Sequence, residues 1–187
     1  MILQMNVKIR VDDTIVLHLI DYQHAEMLSR LVKINRLHLR EWLPWVDHLR
    51  TVEDFRKYIT NSKQRYASHL EVGYVILANN AMIGRIGLYN IDLSNKSASI
   101  GYWLDKDWVG KGVITRCCKA VIDDAFKRLK LNRIEIRAAT ENYKSQAIPT
   151  RLGFKQEGII RQGEFVNNRF VDLYVFSILK EEWQNKS

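Results

Sequence analysis

Residues Ala98–Leu104 read as a β-type run, and Asp105-Lys-Asp-Trp-Val-Gly-Lys-Gly112 carries that run into a helix with no spacer. In the helix, Ile114, Cys117, Cys118, Val121, Ile122, Ala125, Phe126 and Leu129 recur at a 3.6-residue period. Lys119, Asp123, Asp124 and Lys127 take the other face. A strand that enters a helix through two glycines demands a mixed α/β fold. Gly110 and Gly112 let the backbone turn inward and approach a ligand closely. The N–H groups of Val113, Ile114 and Thr115 open the helix and have no acceptor inside it. At the positive end of a helix dipole they form an anion nest, to which Lys111 adds a charge. The loop lacks the Lys-Ser/Thr pair of a Walker A motif and the third glycine of a dinucleotide fingerprint. A tight strand-to-helix turn without a ligand is the plainer alternative.

The flanking sequence predicts the remaining elements. Thr14–Ile20 is a strand, and Asp21 caps a helix with Ala25, Leu28, Leu31 and Val32 at helical spacing. Pro44 interrupts Leu39–Arg50 between Trp42 and Trp45, and Thr51 caps a second helix to about Ser68. Glu71–Ala78 and Ala81–Asp92 form a hairpin over Asn79-Asn80, and Asn95 turns the chain into Ala98–Leu104. After the Val113–Leu129 helix come a strand, Arg133–Ala139, and a short helix from Asn142 to Leu152, closed by Gly153. Two last strands, Phe154–Gln162 and Phe170–Leu179, are joined through Asn167-Asn168. The order fits a mixed sheet with helices on both faces.

With 187 residues, 47% of them hydrophobic, the chain is long enough for one domain, 1–187, with its own core, and too apolar for disorder. The longest apolar run, Val72–Ala78, is far shorter than a membrane-spanning helix, and the N-terminus lacks a signal-peptide core. Adjacent Cys117 and Cys118 make neither a disulfide framework nor a metal knuckle, so a reducing cytoplasm is the expected compartment. The histidines show no ligand-like pairing, and no metal site is expected. The net charge is +8, with most of the basic excess after residue 95. No basic run interleaved with aromatics marks a nucleic-acid platform. The excess is either a solvated surface or the footprint of an acidic or phosphate-bearing partner.

Taken in order, Trp108-Val-Gly-Lys-Gly-Val-Ile-Thr115, Asn132-Arg-Ile-Glu-Ile136, Asn142-x-x-Ser145 and Arg151-Leu-Gly-Phe-x-x-Glu-Gly158 resemble the GNAT acetyltransferases. Glu41-Trp-Leu-Pro-Trp45 and Ile100-Gly-Tyr-Trp-Leu104 point to the branch of ribosomal-protein N-acetyltransferases, RimJ/RimL. The likeness spans nearly the whole chain. It implies a mostly antiparallel sheet with a V-shaped split between Ala98–Leu104 and Arg133–Ala139. It implies acetyl-CoA as co-substrate, with the pantetheine in the split beside Trp103 and Leu104. The pyrophosphate would rest on Gly110, Lys111, Gly112, Val113, Ile114 and Thr115, with Asn142 as a further contact. One departure is plain: Asp107 stands where the superfamily often has Gln or Arg, so backbone donors and Lys111 must carry the pyrophosphate.

Acetyl transfer to an amine requires the amine to lose a proton, the oxyanion to be stabilised and the departing thiolate to be met by a donor. The resemblance implies Ser145 for the thiolate, at a helix N-terminus that favours negative charge. Pro149 cannot bond the Ser145 carbonyl four residues back, which leaves that carbonyl for water, cofactor or substrate. The resemblance implies Glu164 as base; Glu157, in the Glu-Gly pair, is the runner-up, at a position to which the resemblance gives a structural role. Trp42 and Trp45 are either core aromatics under a loop or the walls of an acceptor cleft, where Glu41 would hold a substrate ammonium. The expected acceptor is a protein N-terminal α-amine, foremost that of an acidic ribosomal protein, and self-association as a homodimer goes with the branch. The alternatives are a small-amine acceptor, such as a polyamine or aminoglycoside, and a non-catalytic acyl-CoA-binding module.

Overall fold

The computed structural model describes residues 7–185. Eight strands form one sheet in the order β1-β2-β3-β4-β5-β6-β8-β7. They are β1 (Lys8–Arg10), β2 (Ile15–Leu19), β3 (Glu71–Ala78), β4 (Ala81–Asp92), β5 (Ser97–Leu104), β6 (Arg133–Ala139), β7 (Lys155–Val166) and β8 (Arg169–Leu179). Helices α1 (Ala25–Leu39) and α2 (Val52–Ala67) cover one face, while α3 (Val113–Lys127) and α4 (Tyr143–Leu152) cover the other. A last helix, α5 (Lys180–Gln184), follows β8. Strand alternation builds both cores. Along β3, Val72, Tyr74 and Ile76 pack with the α3 residues, and Val75 and Leu77 pack with α1 and α2. Every β3 residue is buried, which explains the unbroken apolar run.

Local chemistry sets the ends of the helices. Thr51 and Asp54 form a capping box on α2. Asp21 caps a 3-10 turn, Tyr22–His24, which leads into α1. Cys117 and Cys118 are both fully buried in α3.

The sheet departs from the sequence reading at its edges. β1 and α5 were not anticipated, being too short to show a period. β7 does not stop at Gln162. It runs to Val166, through a bulge between Ile160 and Glu164. There Gln162 adopts φ 49° and its N–H donates to Asp172 Oδ1 at 2.7 Å. A Cβ on Gly163 would lie 2.9 Å from Ile160 Cγ2 and 3.1 Å from Leu173 Cδ1, so a larger residue there would push on both side chains. At Gly101 a Cβ would lie 3.0 Å from Tyr89 Cε2, so glycine there makes room for the Tyr89 ring.

Among the described residues, β5 and β6 are the parallel neighbours, and every other neighbouring pair is antiparallel. Their pairing is short: Ser97, Ala98 and Ser99 meet Arg133, Ile134 and Glu135, and then the strands part. Both continue, to Leu104 and to Ala139, so the sheet carries a V-shaped gap open at the C-terminal ends of these strands. An open end of this kind, between diverging strands, is where α/β sheets receive ligands.

Candidate active site

The backbone of β5 lines the gap. Asp105 N–H donates to Ile83 O at 2.7 Å, which fixes the alternation along β5. Odd residues turn their backbone groups to β4, and Ile100, Tyr102 and Leu104 turn theirs into the gap. Trp103 turns its backbone toward β4 and its ring to the α1–α2 face, against Trp45, with centroids 6.0 Å apart. On the opposite wall, Thr140 N–H donates to Asp172 O at 2.9 Å, so by the same alternation Arg137 presents its backbone to the gap.

At the end of β5 the loop forms the expected nest. Gly110 and Gly112 adopt φ 83° and 69°, values that favour glycine. Gly112 is the N-cap of α3 and contributes no side chain, so the first-turn N–H groups of Val113, Ile114 and Thr115 are left uncapped. The side chains of Val113 and Ile114 are buried in the core and hold this turn in place. Lys111 Nζ lies 5.0 Å from the Trp108 ring centre. Asp107 is exposed beside the loop. A second cation, which the sequence reading missed, is Arg116. Its Nη1 donates to Lys111 O at 3.1 Å, and its Nε donates to Asp12 Oδ2 at 2.9 Å. Partial burial pushes the Asp12 carboxyl up. Hydrogen bonds from Thr14, Ile15 and Arg116 outweigh this and hold it at about 2, so the anchor stays charged.

At the end of β6, Asn142 caps α4 by accepting from Ser145 N–H at 3.1 Å, which sets Ser145 in the first turn. The Ser145 carbonyl is not left open as expected. The Tyr102 hydroxyl lies 3.2 Å from that oxygen and 3.2 Å from Ser145 Oγ.

Glu164 pairs with Val171 across the β7–β8 ladder and therefore shares a face with it. Val171 clusters with Val166, Leu173 and Ala139, and Trp42 packs onto that cluster. Glu164 and Trp42 thus lie on the α1–α2 face, while Ser145 lies in α4 on the other. Glu164 is half-buried, and desolvation raises its pKa above the ordinary 4.5. Among the described residues, no hydrogen bond or ion pair holds its carboxylate. Trp42 and Trp45 bracket the open end: Trp45 meets β5 through Trp103, and Trp42 meets β6 and β8. Arg169 lies over the Trp42 ring at 5.8 Å and forms an ion pair with Glu141, next to Asn142. Glu41 is exposed beside Trp42.

A model of the acetyltransferase (GNAT) domain matches residues 15–155 of this chain. The chain belongs to the GNAT acetyltransferases. It is 36% identical to YdaF of Bacillus subtilis, provisionally named a ribosomal N-acetyltransferase, over 95% of this chain and 97% of that one. It is 29% identical to the ribosomal-protein-serine acetyltransferase of Escherichia coli, over 90% and 94%. Among solved structures, it matches RimL, the ribosomal L7/L12 alpha-N-protein acetyltransferase in complex with coenzyme A. That match has a TM-score of 0.90 and 27% identity, covering 94% of this chain and 98% of that one.

The GNAT frame separates the two carboxylates proposed as base. Glu157 accepts two bonds of 2.6 Å from Arg133 and one of 2.6 Å from Ser177 Oγ. The Arg133 and Ser177 bonds hold it at about 2, a poor base. It also sits by Arg133, at the closed end of the gap. These bonds tie β7 to β6 and β8, and the sign of the pH dependence follows. A depressed carboxyl stabilises the fold above its unfolded pKa, so stability is lost as pH falls from about 4.5 toward 2. Its side chain is 44% exposed and that of Arg133 29%, which screens the pair. Glu157→Gln is therefore expected to cost only about 1 kcal/mol at neutral pH in urea unfolding, and the cost should shrink below pH 4.

Among the described residues, no group of three or more His, Cys, Asp or Glu side chains is placed to hold a metal ion, and no helix is long and apolar enough to cross a membrane.

Proposed function

We propose that this GNAT enzyme transfers the acetyl group of acetyl-CoA to the α-amine of a protein N-terminus, in particular that of an acidic ribosomal protein. The observation that carries the reading is the disposition of Ser145 and Glu164. Ser145 opens α4 just past the end of β6, and Glu164 lies beside Val171, whose cluster includes Ala139 at that same end of β6, on the opposite face of the sheet; this supports a shared site at the open end of the gap. The gap suits the co-substrate: uncapped helix N–H groups face an anion, and the free backbone edges of β5 and β6 match peptide-like pantetheine amides. Acetyl-CoA would supply the activated acetyl group.

The chain's own groups divide the work. The nest, Lys111 and Arg116 bind the phosphates. Ser145, at the N-terminus of α4, donates a hydrogen bond where negative charge develops on sulfur. Glu164, whose pKa burial has raised, receives the amine proton directly or through one water. Trp42 and Trp45 form an apolar cleft on the Glu164 side, long enough for a short extended peptide.

An α-amine suits this base. Its pKa is about 7.7–8.0, against about 10.4 for lysine, so roughly a tenth or more is already neutral at pH 7. A lysine side chain would demand about 3 to 4 kcal/mol more for deprotonation. The net charge of +8 favours encounter with an acidic partner at low salt. RimL, an alpha-N-protein acetyltransferase of ribosomal L7/L12, fits the same acceptor class.

The test uses a peptide that begins with Ser and also carries an internal lysine. Mass spectrometry should find acetyl on the α-nitrogen. Trp42→Ala and Trp45→Ala should each raise the peptide KM by about tenfold, as lost burial of a large aromatic predicts, and leave the acetyl-CoA KM within twofold. Acetylation of lysine alone, or turnover only with spermidine, would overturn the acceptor assignment.

A further inference from the structure

Pro149 lies inside α4 and has no N–H, so the Ser145 carbonyl has no helical donor. A half-buried carbonyl without its helical donor gains from another partner, and the fold supplies one from the opposite wall of the gap. Tyr102 projects from β5, and its hydroxyl stands at the same distance, 3.2 Å, from Ser145 O and Ser145 Oγ. We propose that Tyr102 is a positioning residue that fixes the Ser145 hydroxyl so that its proton meets the sulfur of the departing coenzyme. The inference rests on the assignment of Ser145 above.

The hydrogen-bond count supports it. A serine hydroxyl rotates freely unless a partner holds it, and Asn142 engages only the Ser145 backbone N–H. Tyr102 holds both ends. With its proton on the carbonyl, its oxygen accepts from Ser145 Oγ–H. When charge builds on sulfur, Ser145 Oγ–H turns to the sulfur, and Tyr102 can turn its own proton to Oγ. The serine oxygen keeps a partner in either arrangement, so little reorganisation opposes the turn. Burial among apolar neighbours of α3 raises the phenol pKa far above 10, so Tyr102 keeps its proton. It is a hydrogen-bonding partner and not an acid, and no proton leaves it.

The proposal also gives Pro149 a reason. An ordinary residue there would donate its N–H to the Ser145 carbonyl and compete with Tyr102 for it. The helix gives up one internal bond so that a side chain of the other wall can dock.

Tyr102→Phe removes the hydroxyl and keeps the ring. The expected result is a drop of about tenfold in the single-turnover rate with the Ser peptide, and the same drop in acceptor-free hydrolysis of acetyl-CoA. The acetyl-CoA KM should stay within twofold. In the Ser145→Ala background, Tyr102→Phe should change neither rate by more than twofold. A binding measurement gives a second readout. By calorimetry, the wild-type protein should bind CoA more tightly than desulfo-CoA, and Tyr102→Phe should erase that preference while leaving desulfo-CoA affinity unchanged. If Tyr102→Phe lowers the rates equally in both backgrounds, or weakens both ligands together, Tyr102 is a strut and the inference fails. If Ser145→Ala itself leaves the single-turnover rate unchanged, the assignment of Ser145 falls first and takes the inference with it.

Discussion

Glu164→Gln is expected to lower kcat/KM by about 10²–10⁴-fold at neutral pH, the usual contribution of a well-placed general base. The amide keeps the size and shape of the carboxylate and cannot take a proton. The environment equips the carboxylate to accept one, since it is half-buried, has no ion pair among the described residues and is raised above 4.5 by desolvation. The loss should be largest at low pH and shrink as the solution itself deprotonates the amine, near pH 7.7–8.0 for an α-amine. In the wild type, the acidic limb of kcat/KM should lie above 4.5. Stability should move the other way. A carboxyl with a raised folded pKa favours the folded state only while protonated, so its contribution falls as pH rises through that window. The amide has no charge to desolvate, and at pH 7 the variant should melt no lower than the wild type. A variant that loses activity and also melts lower would make Glu164 a structural residue. Activity that stays equally low at every pH would make it a positioning residue.

Gly112→Val is expected to weaken acetyl-CoA binding by at least about 100-fold, through two effects on one residue. Gly112 sits at φ 69°, where a β-branched residue costs about 1–3 kcal/mol of strain. A Cβ there would also lie 3.2 Å from Arg116 Nη1 and would crowd a cation of the nest. Gly110→Val is the companion variant. Its φ is 83° and nothing lies within 4 Å of its Cβ, so it tests backbone strain without the clash. The wild-type melting temperature should rise with the logarithm of acetyl-CoA concentration above Kd, with about 2.7 kcal/mol of stabilisation at a hundredfold excess over Kd. The Gly112 variant should show almost none of this rise. Normal acetyl-CoA stabilisation in both variants would remove the loop from the binding site.

Features written in neighbouring residues were legible in the sequence. The α2 start at Thr51, the β3–β4 hairpin over Asn79-Asn80 and the glycine loop at α3 all match the fold. What escaped depends on partners distant in the chain. Pro149 announced a free carbonyl at Ser145, but its donor, Tyr102, lies 43 residues away. Arg116 reads as an ordinary helical charge until Asp12, 104 residues earlier, anchors it at the nest. Trp103 lies in the expected strand, yet its contact with Trp45 joins residues 58 apart in the chain. The bulge at Gln162-Gly163 resembles a strand end in sequence, because glycine signals both. The shared face of Glu164 and Trp42 follows from that bulge and was not readable before it was seen.

A gap that passes through the sheet has two doors. On the proposed assignment, with the phosphates at the glycine loop and Ser145 on one face and the acceptor by Glu164 and the tryptophan loop on the other, neither substrate would need to leave before its counterpart arrives. Such a layout calls for a ternary complex and direct transfer, and initial-rate plots should intersect rather than run parallel. It also leaves no need for an acylated side chain. Cys117 and Cys118 are sealed in α3, and burial pushes the Cys117 thiol up to about 12 and that of Cys118 well above its usual range. The two products can likewise depart independently, so a bulky folded acceptor need not wait for the nucleotide to clear its path.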